Sequence, residues 1–109
     1  DKKILFSCIQ TKSLEEMVAQ LKEVPKSQLI LTSFADPRSF SKEKLEALAC
    51  EQDLHYADWQ DFLDAYLKVE HRADELLLIT GSLYFLAQVR AYIIDKQKEF
   101  RSVYGHEEN

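Results

Sequence analysis

Apolar positions group into four short segments that predict strands. The first, Lys3–Ile9, is a continuous apolar run, and runs without polar alternation are typical of strands covered on both faces, as in parallel sheets. The others are Leu29–Thr32, a short segment near Leu54–Ala57, and Glu75–Thr80. The pattern therefore predicts a largely buried sheet.

An amphipathic segment follows each predicted strand, and these segments predict four helices. The sequence around Ser13 matches a capping box, in which the Ser13 hydroxyl and the Glu16 carboxylate satisfy free N–H groups at the start of the helix. Ser41 opens the second helix, Asp58 caps the third, and the last begins at Ser82. The first helix carries its apolar stripe at helical spacing: Leu14, Met17, Val18, Leu21 and Val24.

The alternation of strands and helices predicts an α/β fold. We expect a Rossmann-like three-layer sandwich, with a mainly parallel sheet of about four strands and helices on both faces. Residues 1–95 form this domain, and residues 96–109 form a charged helix end and a tail that frays. Ligands of such folds bind at the carboxyl ends of the strands. The loops there are Gln10–Lys12, Ser33–Ser39, Ala57–Asp58 and Gly81–Ser82.

Composition and charge narrow the function classes. A hydrophobic content of 46% supports a packed core, and a net charge of -5 argues against nucleic acid as a partner. The chain has no apolar run long enough for a membrane span and no signal-peptide pattern. Two cysteines are too few for a disulfide scaffold, so we expect a reducing, cytoplasmic location. An aspartate at position 1 suggests a fragment or a processed chain.

Several common kinds of site are missing from the sequence. Gly81 and Gly105 are the two glycines, so the chain cannot build a glycine-rich phosphate loop or a dinucleotide fingerprint. The histidines are scattered, without metal-ligand spacing. Cys8 lies where phosphocysteine domains place a nucleophile, but no glycine follows it, which favours a buried structural thiol.

The most informative segment is the corner at Gly81 and Ser82, between the last strand and the last helix. The Ser82 hydroxyl and the free backbone N–H groups at the start of the helix suit an anion. A serine at this position is equally explained by helix capping alone. A hydrolase nucleophile elbow is excluded, because Tyr84 stands where the second glycine would be. Tyr84, in the first helical turn, is either core filler or a hydrogen-bonding neighbour of the site.

Two cations lie in neighbouring loops. Arg38 follows Asp36 and Pro37. Its guanidinium can bind the carboxylate of a ligand through two N–H groups, or it can form an ion pair with Asp36, and the sequence favours neither. Lys12 follows the first strand, and it is either an anion contact or a solvated loop charge.

The block Gly81–Arg90 resembles the end of the C-terminal domain of folylpolyglutamate synthases, which belong to the Mur ligase superfamily and in many bacteria are also dihydrofolate synthases. The similarity continues backwards in order. Lys3–Met17 is similar to the family's strand, lysine loop and helix, and Leu29–Arg38 is similar to its strand and Pro-Arg loop. The resemblance covers roughly Lys3 to Asp95.

The resemblance implies a ligase that adds L-glutamate to a folate, a reaction of folate and one-carbon metabolism. In the family, ATP and Mg²⁺ convert the folate γ-carboxylate to an acyl phosphate, which the glutamate amine attacks. By this resemblance Ser82 and Tyr84 lie at the glutamate site, and Arg38 resembles the arginine that grips an amino-acid carboxylate. Lys12 and Gly81 are candidate anion contacts.

The family's ATP-binding domain and the opening motifs of its C-terminal domain do not occur here. We therefore expect a C-terminal portion that lacks the first strand of its domain, is inactive alone and binds no cofactor tightly. ATP, Mg²⁺, glutamate and folate would be ligands of the full-length enzyme, and its own N-terminal ATP-binding domain would be the partner. The alternative is a free-standing flavodoxin-like binding or regulatory domain without catalysis.

Overall fold

Strands and helices alternate along the chain in the computed structural model, which describes residues 2–11 and 13–104. The elements are β1 (Lys2–Ser7), α1 (Leu14–Lys22), β2 (Ser27–Leu31), α2 (Lys42–Glu51), β3 (His55–Tyr56), α3 (Trp59–Leu67), β4 (Leu76–Gly81) and α4 (Leu83–Tyr104). The predicted order of elements is confirmed.

The four strands form one sheet in the order β3-β2-β1-β4, and every pairing is parallel. β1 lies at the centre, with Ile4 level with Leu29 on one side and with Leu78 on the other. This order corresponds to strands 3-2-1-4 of the Rossmann sheet, whereas flavodoxin-like sheets place the first strand between the second and third. The predicted Rossmann-like α/β fold is confirmed.

Two apolar cores cover the two faces of the sheet. Successive residues of β1 point to opposite faces, so Ile4 and Phe6 join one core and Leu5 joins the other. The first core contains buried residues of α1 and α2: Leu14, Val18, Leu45, Leu48 and Ala49. The second contains buried residues of α3 and α4: Trp59, Leu63, Phe85 and Val89. The three predicted layers are therefore present.

The side chains predicted at the helix starts behave differently from one another. Ser41 accepts a hydrogen bond from the backbone N–H of Lys44, and Asp58 accepts bonds from two N–H groups of α3. The capping box at Ser13 was a wrong prediction. The Ser13 hydroxyl makes no cap hydrogen bond, because the backbone there (φ -95°, ψ 10°) is not extended. The Ser13 N–H, which the capping box would pair with Glu16, instead donates to the Thr11 hydroxyl.

The end of β1 also differs from the prediction. β1 ends at Ser7, and Ile9 instead forms an isolated antiparallel bridge with Ser39. α4 continues to Tyr104, into the segment 96–109 that was predicted as a charged helix end and tail. Residues 105–109, in the predicted tail, lie outside the described part of the chain. Within the described residues, no helix has the length and apolar character that crossing a membrane requires.

β4 forms one edge of the described sheet, with a strand on one side only. Its residues Leu76 and Leu78 are 53% and 45% exposed. They point to the face that carries α1 and α2 because they are level with Lys2 and Ile4. The sheet therefore has an apolar, uncovered edge beside β4.

Candidate functional site

The candidate site lies at the carboxyl ends of β1 and β4, which are neighbours in the sheet. The chain leaves β1 toward α1 on one face and leaves β4 toward α4 on the other. This divergence of the two connections is the topological switch point at which open α/β sheets bind ligands. Gly81 and Ser82, which form one of the four loops predicted at the carboxyl ends of the strands, lie at this point.

Gly81 allows β4 to approach β1 closely. It is level with Ser7 and has φ +129°, a conformation that side-chain-bearing residues rarely adopt. A Cβ atom at Gly81 would overlap the Ser7 carbonyl oxygen. The same oxygen accepts a hydrogen bond of 3.0 Å from the Ser82 N–H, so the corner is fixed to the end of β1.

Ser82 is the N-cap of α4, as one of its two interpretations required. Its Oγ accepts a hydrogen bond of 3.2 Å from the Tyr84 N–H. A serine hydroxyl that accepts one bond can still donate its own proton. The cap therefore leaves Ser82 able to donate to an anion at the start of α4.

Arg38 and Asp36 form the ion pair that was one of the two alternatives for Arg38. Nε and Nη2 of Arg38 donate to the two carboxylate oxygens over 3.0 and 2.9 Å, and the Arg38 N–H donates to Oδ1 over 2.8 Å. The hydrogen bonds from Arg38 lower the pKa of Asp36, and the Asp36 carboxylate raises the pKa of Arg38. Arg38 is 51% exposed and Asp36 only 13% exposed, so the pair presents its cation outward.

Tyr84 connects Arg38 to the corner. The guanidinium carbon of Arg38 lies 4.1 Å from the centre of the Tyr84 ring, in the geometry of a cation–π contact. The Tyr84 backbone N–H donates to the Ser82 hydroxyl oxygen, and Tyr84 is 51% exposed. The structure thus brings together the three residues proposed for one site, and it excludes core filler as the role of Tyr84.

Hydrogen bonds between loops hold this arrangement in place. The Gln88 side chain of α4 donates to the Ala35 carbonyl over 2.8 Å and accepts from the Ala35 N–H over 3.3 Å. The Gln10 N–H donates to the Arg38 carbonyl over 2.6 Å. The loops after β1 and β2 and the first turns of α4 therefore form one connected surface.

Two further residues at this corner, Gln88 and Ser7, were not among the predicted site residues. Gln88 lies on the helix one turn after Tyr84, and its helical spacing was the available signal. Ser7, the last residue of β1, is 2% exposed, and its hydroxyl has no hydrogen-bond partner among the described residues. Lys12, a candidate anion contact, lies outside the described residues.

The residues at this corner do not fit an ATP or magnesium site. In residues 2–11 and 13–104, no group of three histidine, cysteine or acidic side chains is placed to hold a metal ion. The corner contains one glycine, which makes a close contact with β1 and does not form a phosphate loop. What the arrangement offers is an exposed guanidinium, a hydroxyl donor and the start of a helix, which suit a small carboxylate.

Cys8, after the end of β1, matches the prediction of a structural thiol. It is 5% exposed, and burial raises its pKa, which disfavours the reactive thiolate.

Comparisons with other proteins identify no relative. No protein-family model, no curated protein and no solved structure matches the chain.

Proposed function

We propose that this chain is part of the C-terminal domain of a folylpolyglutamate synthase, and that its carboxyl-edge corner binds the incoming L-glutamate. The corner consists of Arg38, Gly81, Ser82 and Tyr84. The contact between Arg38 and Tyr84 supports the proposal most. It brings together the Pro-Arg loop and the Gly81–Arg90 block, two motifs of the resemblance that lie far apart in the sequence.

The hydrogen-bonding capacity of the corner suits a carboxylate. Asp36 occupies Nε and one N–H of Nη2 of Arg38, which leaves the outer N–H groups of Nη1 and Nη2 to grip a carboxylate from its end. The Ser82 hydroxyl, which accepts a hydrogen bond from the Tyr84 N–H, adds a further donor at the same corner. Asp36 also fixes the guanidinium, which lowers the entropy lost when a ligand binds.

In this proposal the chain orients the nucleophile and takes no other part in the chemistry. Arg38 and Ser82 hold a glutamate carboxylate, so that the amine faces an activated folate carboxylate that the rest of a cytoplasmic enzyme supplies. ATP and Mg²⁺ would be bound by that other part, since the corner does not suit them.

The free edge of β4 also supports the proposal. The resemblance implies a domain with a further strand, and a parallel sheet normally covers its apolar edges. Leu76 and Leu78 are exposed where such a strand and its connection would lie. The flavodoxin-like alternative has no comparable support, because the strand order is different.

An assay of the full-length product of the gene tests this function. We expect release of ADP that requires both L-glutamate and a reduced folate, together with a product one glutamate longer by mass spectrometry. No folate-dependent ADP release would remove the proposal.

Two variants of the same protein test the site assignment. Arg38→Ala should raise the KM for glutamate about tenfold or more, since hydrogen bonds to charged groups contribute about 1.5–3 kcal/mol, and Ser82→Ala should raise it less. The KM for ATP should stay unchanged in both.

Arg72→Ala is the matched control for Arg38→Ala. Arg72 also pairs with an aspartate two residues away, Asp74. It precedes β4, however, and so lies at the end of the sheet where the strands begin, away from the corner. Its removal should leave both KM values unchanged. An unaltered glutamate KM in Arg38→Ala and Ser82→Ala would contradict the site assignment.

A further inference from the structure

A concave region lies at the opposite end of the sheet from the carboxyl-edge corner, where the strands begin. Its volume is about 490 Å³, within the range of about 300–1,000 Å³ that is typical of small-molecule sites. We call it the amino-edge cleft. It is lined by Lys2, Lys3, Lys26, Ser27, Gln28, Tyr66, His71, Glu75 and Leu76.

Three lysines line this cleft, two from the start of β1 and one from the turn between α1 and β2. Lys2 and Lys3 begin β1, and Lys26 immediately precedes β2. The Lys2 N–H donates to the Lys26 carbonyl over 3.0 Å, which keeps the two segments together. None of the three lysines has an ion-pair partner among the described residues.

The acidic residue that faces the cleft is compensated by His71. Nδ1 of His71 lies 2.7 Å from a Glu75 carboxylate oxygen, and Nε2 lies 2.7 Å from the Tyr66 carbonyl oxygen. Both oxygens are acceptors, so satisfying both requires an imidazole that donates from both nitrogens, which is the protonated form. Those two bonds raise the pKa of His71, with that to Tyr66 the larger cause.

The cleft therefore concentrates positive charge on a chain whose net charge is -5. Once His71 neutralises Glu75, the remaining charged groups of the lining are the three ammonium groups. One carboxylate cannot engage three separate ammonium groups well, whereas a diphosphate offers several oxygens and more than one charge. Tyr66 and Leu76 add apolar surface for an organic part.

We propose that the amino-edge cleft is a binding site for a small molecule that carries a multivalent phosphate group, such as a diphosphate. The site lies opposite the carboxyl-edge corner and shares no residue with it, so it does not depend on the function proposed above. Duplex nucleic acid is disfavoured because it needs an extended basic face.

A titration with sodium pyrophosphate, followed by ¹H–¹⁵N NMR on this chain, tests the proposal. We expect saturable shifts of the amides of the cleft, such as those of Lys3 and Gln28, at millimolar ligand. Sodium chloride at matched ionic strength should not reproduce them.

Charge-removing variants locate the site. Lys3→Gln and Lys26→Asn should each weaken pyrophosphate binding about threefold to tenfold, by loss of one charge-assisted contact. Asparagine is chosen at position 26 because Lys26 has φ +56°, which asparagine tolerates. Lys42→Gln, at the start of α2 near the other edge, is the control and should bind as the unmodified chain does.

A pair of variants tests the charge compensation itself. His71→Gln should weaken binding because it exposes the Glu75 charge to the ligand, and adding Glu75→Gln should restore it. A purely structural role of His71 would not give this rescue.

The proposal is overturned if pyrophosphate gives no saturable shifts in the cleft, or if Lys3→Gln and Lys26→Asn bind it as the unmodified chain does. It is also overturned if Lys42→Gln weakens binding equally, or if a DNA duplex binds the cleft more tightly than pyrophosphate.

Discussion

Gly81 is the residue at which the carboxyl-edge corner depends on the absence of a side chain. Gly81→Ala would place a Cβ against the Ser7 carbonyl and force a rare backbone angle. We expect the free energy of unfolding to fall by about 2 kcal/mol or more, measured by urea denaturation. Ser82→Ala, at the next position, is the control and should cost only about 1 kcal/mol through loss of the cap. Equal stability of Gly81→Ala and the unmodified chain would contradict this account.

Single residues show how far the sequence could predict the site. The Gly-Ser step located the corner, and the spacing of Asp36 and Arg38 allowed their ion pair. The contact of Arg38 with Tyr84 was not predictable from the residues alone, because it depends on how the loop after β2 packs against α4. Ser13 failed as a cap for a local reason, since its backbone is not extended and its hydroxyl makes no cap hydrogen bond.

At the scale of elements, His71 connects the loop between α3 and β4 to residues on both sides of that loop. The ring stacks on Tyr66 with 3.8 Å between centres, and its nitrogens contact Glu75 and the Tyr66 carbonyl. The pKa of His71 is raised above the unfolded value of about 6.5. Its contribution to stability is therefore fully present below about pH 6.5 and is lost as the pH rises through the folded pKa.

The raised pKa of His71 predicts a pH dependence of the free energy of unfolding that His71→Gln removes. Between about pH 6 and pH 8 the free energy of unfolding of the unmodified chain should fall relative to that of His71→Gln. Urea denaturation at each pH measures the difference, and NMR titration of the ring gives the pKa directly. Parallel pH profiles for the two proteins, or a ring pKa below the unfolded value, would contradict the double-donor geometry.

At the scale of the whole molecule, the sheet separates two cores, and β1 contributes to both. Leu5 is 0% exposed in one core, whereas Leu83 is 80% exposed at the start of α4. Leu5→Ala should lower the free energy of unfolding by about 2–5 kcal/mol, and Leu83→Ala should change it by no more than about 0.5 kcal/mol. The same chemical change is made in both, so similar losses in denaturation experiments would contradict the assigned core.

The apolar patterns predicted the class of this architecture but not its strand order. The continuous apolar run identifies β1 as a strand buried on both faces, yet it does not say that β4 lies beside β1. That neighbour relation creates the switch point at Gly81 and also groups the lysines of the amino-edge cleft with Leu76. Both sites therefore follow from long-range pairing that local sequence does not encode.

An NMR titration of this chain with L-glutamate tests directly whether the carboxyl-edge corner binds this amino acid. We expect saturable amide shifts at Arg38, Ser82 and Tyr84, which are lost in Arg38→Ala but not in Arg72→Ala. Shifts that are absent from the corner at millimolar glutamate, or that persist in Arg38→Ala, would contradict the proposed glutamate site.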